Sequence, residues 1–92
     1  MRRTNINAVL KMVRMYLEGE MDRIELTLDF PYELEKRFDK MRLEDQDYAE
    51  LIYDRLLDDG IDIGDDLSDE DFYKLIEKQY YDVLDIAGGG FA

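Results

Sequence analysis

The sequence predicts a mainly α, compact single domain of about four packed helices. Three observations carry that expectation. Apolar residues are 46% of 92 positions, with seven Tyr and four Phe, enough for one core and too many for a disordered acidic tail. Apolar positions recur at helical spacing along much of the chain. Capping or breaking residues stand between the periodic segments.

Ile6, Val9, Leu10, Val13, Tyr16 and Leu17 form an i, i+3, i+4, i+7 stripe, so the first helix begins near Thr4 or Asn5, either of which suits the N-cap. Gly19 marks its natural end. The following "RIELTLDF" (residues 23–30) alternates at Ile24, Leu26, Leu28 and Phe30, a strand period. Helical spacing also fits, because Leu17, Met21, Ile24 and Leu28 extend the first stripe at steps of four, three and four. Running the helix through Gly19 costs about 1 kcal/mol relative to Ala. A lone strand would need the short "IDI" (61–63) or the same segment of a second copy to pair its backbone. Helix is the favoured expectation for 20–29, and an α+β fold with a short strand at 23–30 is the alternative.

Pro31 suits the first turn of a second helix, where its missing N–H is no loss, and Leu34, Phe38 and Met41 mark its inner face. "EDQD" (44–47) offers caps for a third helix with apolar positions Tyr48, Leu51, Ile52 and Leu56, and Gly60 is placed to stop it. Ser68, with Asp71 three residues on, announces a fourth helix with a core face of Phe72, Leu75, Ile76, Val83 and Ala87. Residues 88–92 are expected to fray, with Phe91 free to fold back onto the bundle. The Tyr and Met residues fit core and rim positions better than a cofactor box, and no cofactor is expected.

Charge is unevenly distributed. Residues 1–42 hold nine Lys or Arg against eight Asp or Glu, a net of +1, whereas residues 43–92 hold three against sixteen, a net of −13. There is no Cys, no His and a single Ser, which excludes thiolate sites, disulfides and Ser-His or Cys-His catalysis. No segment approaches the roughly 18 apolar residues that span a bilayer, and the start does not look like a signal peptide. A soluble, cytoplasmic protein without a membrane partner is expected.

The stretch "DDGIDIGDDLSDED" (58–71) has eight carboxylates and no cation. A calcium loop of EF-hand type fails in both glycine registers: Gly64 at the sixth position puts Ile61 and Ile63 at ligand positions three and five, and Gly60 there puts Arg55 at position one. Carboxylate acid–base catalysis needs a pocket that separates two pKa values, and a hydrophilic turn-rich run supplies none, so no enzyme and no metal site are expected. A binding surface is the third reading. Asp47, Glu50, Asp54 and Asp58 follow at steps of three, four and four, which on an α-helix makes a ridge of carboxylates about 5–6 Å apart, comparable with phosphates along a nucleic-acid strand. That ridge leads into Asp59, Asp62, Asp65, Asp66, Asp69, Glu70 and Asp71, with Tyr53, Tyr73, Tyr80 and Tyr81 available for aromatic contact. The plain alternative is a solvated face that serves solubility alone. Direct nucleic-acid binding is not expected, because Arg2, Arg3, Lys11 and Arg14 face a much larger repulsive field.

The stretches "NAVLKMVRMYLEGEMDRIELTLDFPYELEKRF", "YAELIYDRLLDDGID" and "LSDEDFYKLIEKQYYDVLDI" resemble small acidic proteins of phages, plasmids and conjugative elements in Gram-positive bacteria. In size and charge the chain is similar to anti-CRISPR proteins, notably acidic inhibitors of Cas9. That resemblance implies a DNA-mimicking inhibitor whose partner is a nucleic-acid-binding protein such as Cas9 with its guide RNA. It assigns no individual residue. A helical interaction or regulatory module, self-associating as a homodimer through residues 20–30, is the second expectation.

Overall fold

In the computed structural model, which describes residues 3–88, every regular element is helical. Helix α1 spans Thr4–Leu17, α2 Arg23–Glu44 and α3 Gln46–Ile52, which continues directly as a π-helix over Tyr53–Asp62, and α4 spans Asp69–Gly88. The mainly α, four-helix expectation holds. Among the described residues no helix is long and apolar enough to cross a membrane. Of the tail expected at 88–92, Gly88 is the last residue of α4 and residues 89–92, including Phe91, fall outside the described residues, as does Arg2.

α1 buries the predicted stripe of Ile6, Val9, Leu10, Val13 and Tyr16. It does not run on through Gly19, which adopts φ +84°, a left-handed conformation that glycine reaches without Cβ strain. Glu18 N–H and Gly19 N–H close the helix end on the carbonyls of Arg14 and Tyr16. The chain turns back, and Asp22 starts α2 with a reciprocal capping box. Its carboxylate accepts from Glu25 N–H at 2.8 Å, and Glu25 accepts from Asp22 N–H. The "RIELTLDF" segment is therefore helical, as favoured, but as a new antiparallel helix; the strand at 23–30 does not form. Leu26, Phe30, Leu34 and Met41 are fully buried, while Ile24 and Leu28 face outward, so the stripe expected to continue from α1 is the wrong one.

Pro31 lies inside α2, as its ninth residue, instead of beginning a helix. It removes one backbone bond and crowds the carbonyl four residues earlier, at about 3 kcal/mol. Phe30 and Leu34, on either side of it and both at 0% exposure, offset that cost, since burying such side chains contributes about 1.5–3 kcal/mol each.

Asp45 alone connects α2 to α3. Its backbone is extended (φ −166°, ψ 102°), its N–H closes α2 on Met41 O, and its carboxylate accepts from Tyr48 N–H and caps α3. α1 carries no cap of its own: Arg3 occupies the N-cap without a side-chain bond, not Thr4 or Asn5. Glu44, at the far end of α2, replaces it. Its carboxylate accepts from Asn5 N–H at 2.9 Å, Ile6 N–H at 2.9 Å and the Asn5 side-chain amide at 2.8 Å.

α4 packs antiparallel to α1, with Tyr73 near Leu17, and against the π-helix on another face. Phe72, Ile76 and Val83 join the single core, together with Tyr80 and Gln79. Ser68 Oγ accepts from Asp71 N–H at 3.2 Å, the cap expected for the fourth helix.

Burial pushes the Glu44 carboxyl up, but the N–H groups of Ile6 and Asn5, the Asn5 amide and nearby Arg37 outweigh it, and its pKa is lowered. A lowered carboxyl stabilises the fold fully above its ordinary value of 4.5 and loses that contribution as pH falls through the lower folded value. We expect Glu44→Gln to cost about 1–2 kcal/mol at pH 7. Urea titrations of both proteins should show the difference beginning to shrink below that ordinary value and vanishing once the pH is below the lowered folded value.

Candidate functional site

The acidic surface begins on α3 and is shaped by the π-helix. A π-helix closes i→i+5 bonds and is rare beyond a single turn, so packing must select it here. Leu56, Leu57, Gly60 and Ile61 form its buried side, and Asp54, Asp58, Asp59 and Asp62 are exposed. Gly60 is an interior position of this helix, not the stop expected from sequence. A Cβ there would sit 3.0 Å from Arg55 O and 3.3 Å from Ile76 Cδ1. Gly64 is tighter still, since a Cβ would meet Gly60 O and Phe72 Cδ1 at 2.9 Å. The two glycines let α4 close on the acidic segment, and Gln79 Nε2 on α4 donates to Asp59 O at 3.2 Å.

The α-helical ridge of Asp47, Glu50, Asp54 and Asp58 needs correcting. Its spacing assumes α-geometry through residue 58, but wider turns begin at Tyr53. Asp47 and Glu50 keep α-spacing. Beyond them, both the fourth and the fifth residue onward are neighbours, so Asp54 is followed on the next turn by Asp58 and Asp59 together. The single file becomes a broader band.

Arg23, the first residue of α2, fixes the loop that extends this band. Its guanidinium lies over the Phe72 ring, 4.3 Å from the centroid. It donates to Asp69 Oδ1 at 2.9 Å and to the carbonyls of Gly64 and Asp65 at 3.2 Å each. The segment is further turned by Gly64 N–H on Gly60 O and Leu67 N–H on Gly64 O. The sequence contains no local sign of this clamp, because Arg23 lies more than 40 residues from the carbonyls it holds.

All eleven carboxylates singled out from sequence are exposed: Asp47, Glu50, Asp54, Asp58, Asp59, Asp62, Asp65, Asp66, Asp69, Glu70 and Asp71. Of these eleven, only Asp69, with Arg23, and Glu70, with Lys74 at 3.2 Å, form ion pairs among the described residues. Glu50 accepts from Gln46 Nε2 at 3.1 Å. Arg55, the one cation within this stretch of helix, reaches to Asp82 on α4 at 3.9 Å. No three carboxylates among the described residues are grouped to hold one metal ion.

The tyrosines expected beside the acids each make contacts within the fold. Tyr53 is half-buried with its ring 5.2 Å from Phe38. Tyr73 is half-buried and its hydroxyl donates to Leu17 O at 2.7 Å. Tyr80 is buried, and Tyr81 packs edge-on against it at 5.3 Å. Comparison of the chain with protein-family models, curated proteins and solved structures found no match.

Because Arg23 satisfies two carbonyls and one carboxylate at once, Arg23→Ala should destabilise the fold by about 1–3 kcal/mol. The loss should concentrate in the acidic loop. Amide hydrogen exchange at residues 64–69 should accelerate well beyond that of α1, whereas uniform acceleration would show that the loop is held by other contacts.

Proposed function

We propose that the chain is a non-enzymatic inhibitor that occupies the basic nucleic-acid groove of a defence nuclease of Cas9 type, presenting carboxylates where phosphates would lie. The observation that carries this reading is the exposed, contiguous series of carboxylates from Asp47 to Asp71, of which only Asp69 and Glu70 are matched by cations. Carboxylates at helical spacing repel by a few tenths of a kcal/mol per pair, about 0.2–0.5, and a surface of this kind gains from a partner lined with Lys and Arg. Ions released from such a groove drive association as they do for a phosphate backbone. The partner is then Cas9 loaded with guide RNA, and the chain itself binds no nucleic acid through this face.

A second reading rests on a different observation. Ile24, Leu28 and Tyr32 are exposed at 71%, 68% and 65%, and their i, i+4, i+8 spacing makes one apolar strip along α2. This strip suits a helical interaction module that self-associates through it, with the acids serving solubility.

The first reading is tested by inhibition of target-DNA binding by a guide-loaded Cas9-type nuclease, comparing wild type with Asp47→Asn, Glu50→Gln, Asp54→Asn and Asp58→Asn combined. Inhibition by the amide variant should weaken about tenfold or more, equivalent to about 1.4 kcal/mol. Undiminished inhibition would remove the mimicry. Sedimentation of the wild type in high salt separates the second reading, which requires a dimer that Leu28→Glu dissolves.

A further inference from the structure

A cleft of about 720 Å³ opens between α1 and α4. It lies on a face of α4 separate from the one that packs on the π-helix. Lys11 and Arg14 on α1 line it, with Arg3 just before that helix, Tyr48 on α3, and Tyr80 and Tyr81 on α4. Carboxylates outnumber cations two to one in this chain, yet four cations among the described residues, Lys11, Arg14, Lys40 and Arg42, have no ion pair, and two of the four line this cleft. Lys11 and Arg14 make no ion pair among the described residues, whereas Arg3 is held by Asp45 at 2.9 Å and lies over the Tyr48 ring at 5.1 Å.

The tyrosines complete a set of donors. Tyr48 and Tyr80 are each 7% exposed, yet neither hydroxyl has a hydrogen-bond partner among the described residues and neither is a sealed, unsatisfied atom. Their rings are thus in the core and their hydroxyls open to the cleft. Burial pushes both phenols up, against the lowering effect of Arg3 on Tyr48 and of Arg14 on Tyr80, so each remains protonated and able to donate. Glu18 and Glu77 also line the cleft; Glu18 raises the Tyr80 phenol further, and Glu77 lies one turn before Tyr80 and Tyr81 on α4, so the ligand has to be held by Lys11 and Arg14 against these two acids. Tyr81, 54% exposed, adds an open aromatic ring.

Two cations and two phenol donors exceed what the two oxygens of a carboxylate require and match the three oxygens of a phosphoryl group. The overall charge of −12 disfavours a polyanion and leaves a small one. We propose that this cleft binds a small phosphate monoester carrying a planar ring, with the phosphoryl group on Lys11, Arg14 and the hydroxyls of Tyr48 and Tyr80, and the ring against Tyr81. The site is independent of the acidic surface and of the function proposed for it.

The experiment is a titration of the full chain followed by amide chemical shifts, using adenosine 5′-monophosphate, phenyl phosphate, inorganic phosphate and adenosine as probes. At least one ring-bearing phosphate should saturate shifts at Lys11, Arg14, Tyr80 and Tyr81, and bind more tightly than inorganic phosphate or adenosine. Preference for the adenosine ester identifies a nucleotide, and equal binding of phenyl phosphate identifies an aryl phosphate. Lys11→Ala with Arg14→Ala, both exposed and so removable without unfolding, should weaken binding by about tenfold or more at unchanged circular dichroism. Tyr81→Ala should abolish the advantage of the ring. No saturable shift with either ring-bearing phosphate at millimolar concentration, or binding unchanged in the double variant, would overturn the site. Inorganic phosphate binding as tightly as both esters would overturn its ring specificity.

Discussion

Sixteen carboxylates and three cations in residues 43–92 cannot be held in one shape by their own ion pairs. A cation from outside has to help, and Arg23 supplies it where α2 begins. Its guanidinium covers the Phe72 ring while its N–H groups take up Gly64 O, Asp65 O and Asp69. One side chain thus joins the apolar layer to the most acidic turn. The glycines at 60 and 64 permit the approach that makes this possible, because a Cβ at either would meet atoms at 3.0 Å or less.

The same economy appears at the other end of the bundle. α1 lacks a local cap, and Glu44 supplies one from α2, while Asp45 caps α3 and pairs with Arg3. Two adjacent carboxylates therefore cap two helix starts, and the Asp45 N–H closes the end of α2 on Met41 O. These acids sit where backbone N–H groups converge and stabilise the fold. The carboxylates from Asp47 to Asp71 have far fewer such partners, and this difference separates structural acids from those available to a partner.

Much of the fold was legible because its signals are local. The α1 stripe, the Leu34, Phe38 and Met41 face, the Tyr48, Ile52 and Leu56 face, and the Ser68 cap all depend on residues within about two turns of one another. The Asp22–Glu25 capping box was equally local and would have separated α1 from α2, but the apolar continuity of Leu17, Met21, Ile24 and Leu28 competed with it. Pro31 and Gly60 misled for the opposite reason: their local preferences to start and stop helices were overridden by burial of Phe30 and Leu34 and by packing on Ile76. The change to π-geometry at Tyr53, the Arg23 clamp and the Glu44 cap depend on contacts distant in sequence. Exposure of the acidic residues followed from composition, but their arrangement as a band did not. The cations and tyrosines of the α1–α4 cleft were visible individually; their convergence depends on the antiparallel placement of the two helices.

The proposed binding to a cation-rich partner rests on the premise that the carboxylate surface opposes the stability of the isolated chain. Urea unfolding at sodium chloride concentrations from about 20 mM to about 500 mM, over which the screening length falls severalfold, tests that premise most directly. The account predicts that stability rises with salt, and that the rise is smaller when Asp47, Glu50, Asp54 and Asp58 are replaced by their amides. Stability that stays flat or falls with salt would mean that the acids already have their partners within the fold, and would contradict the account.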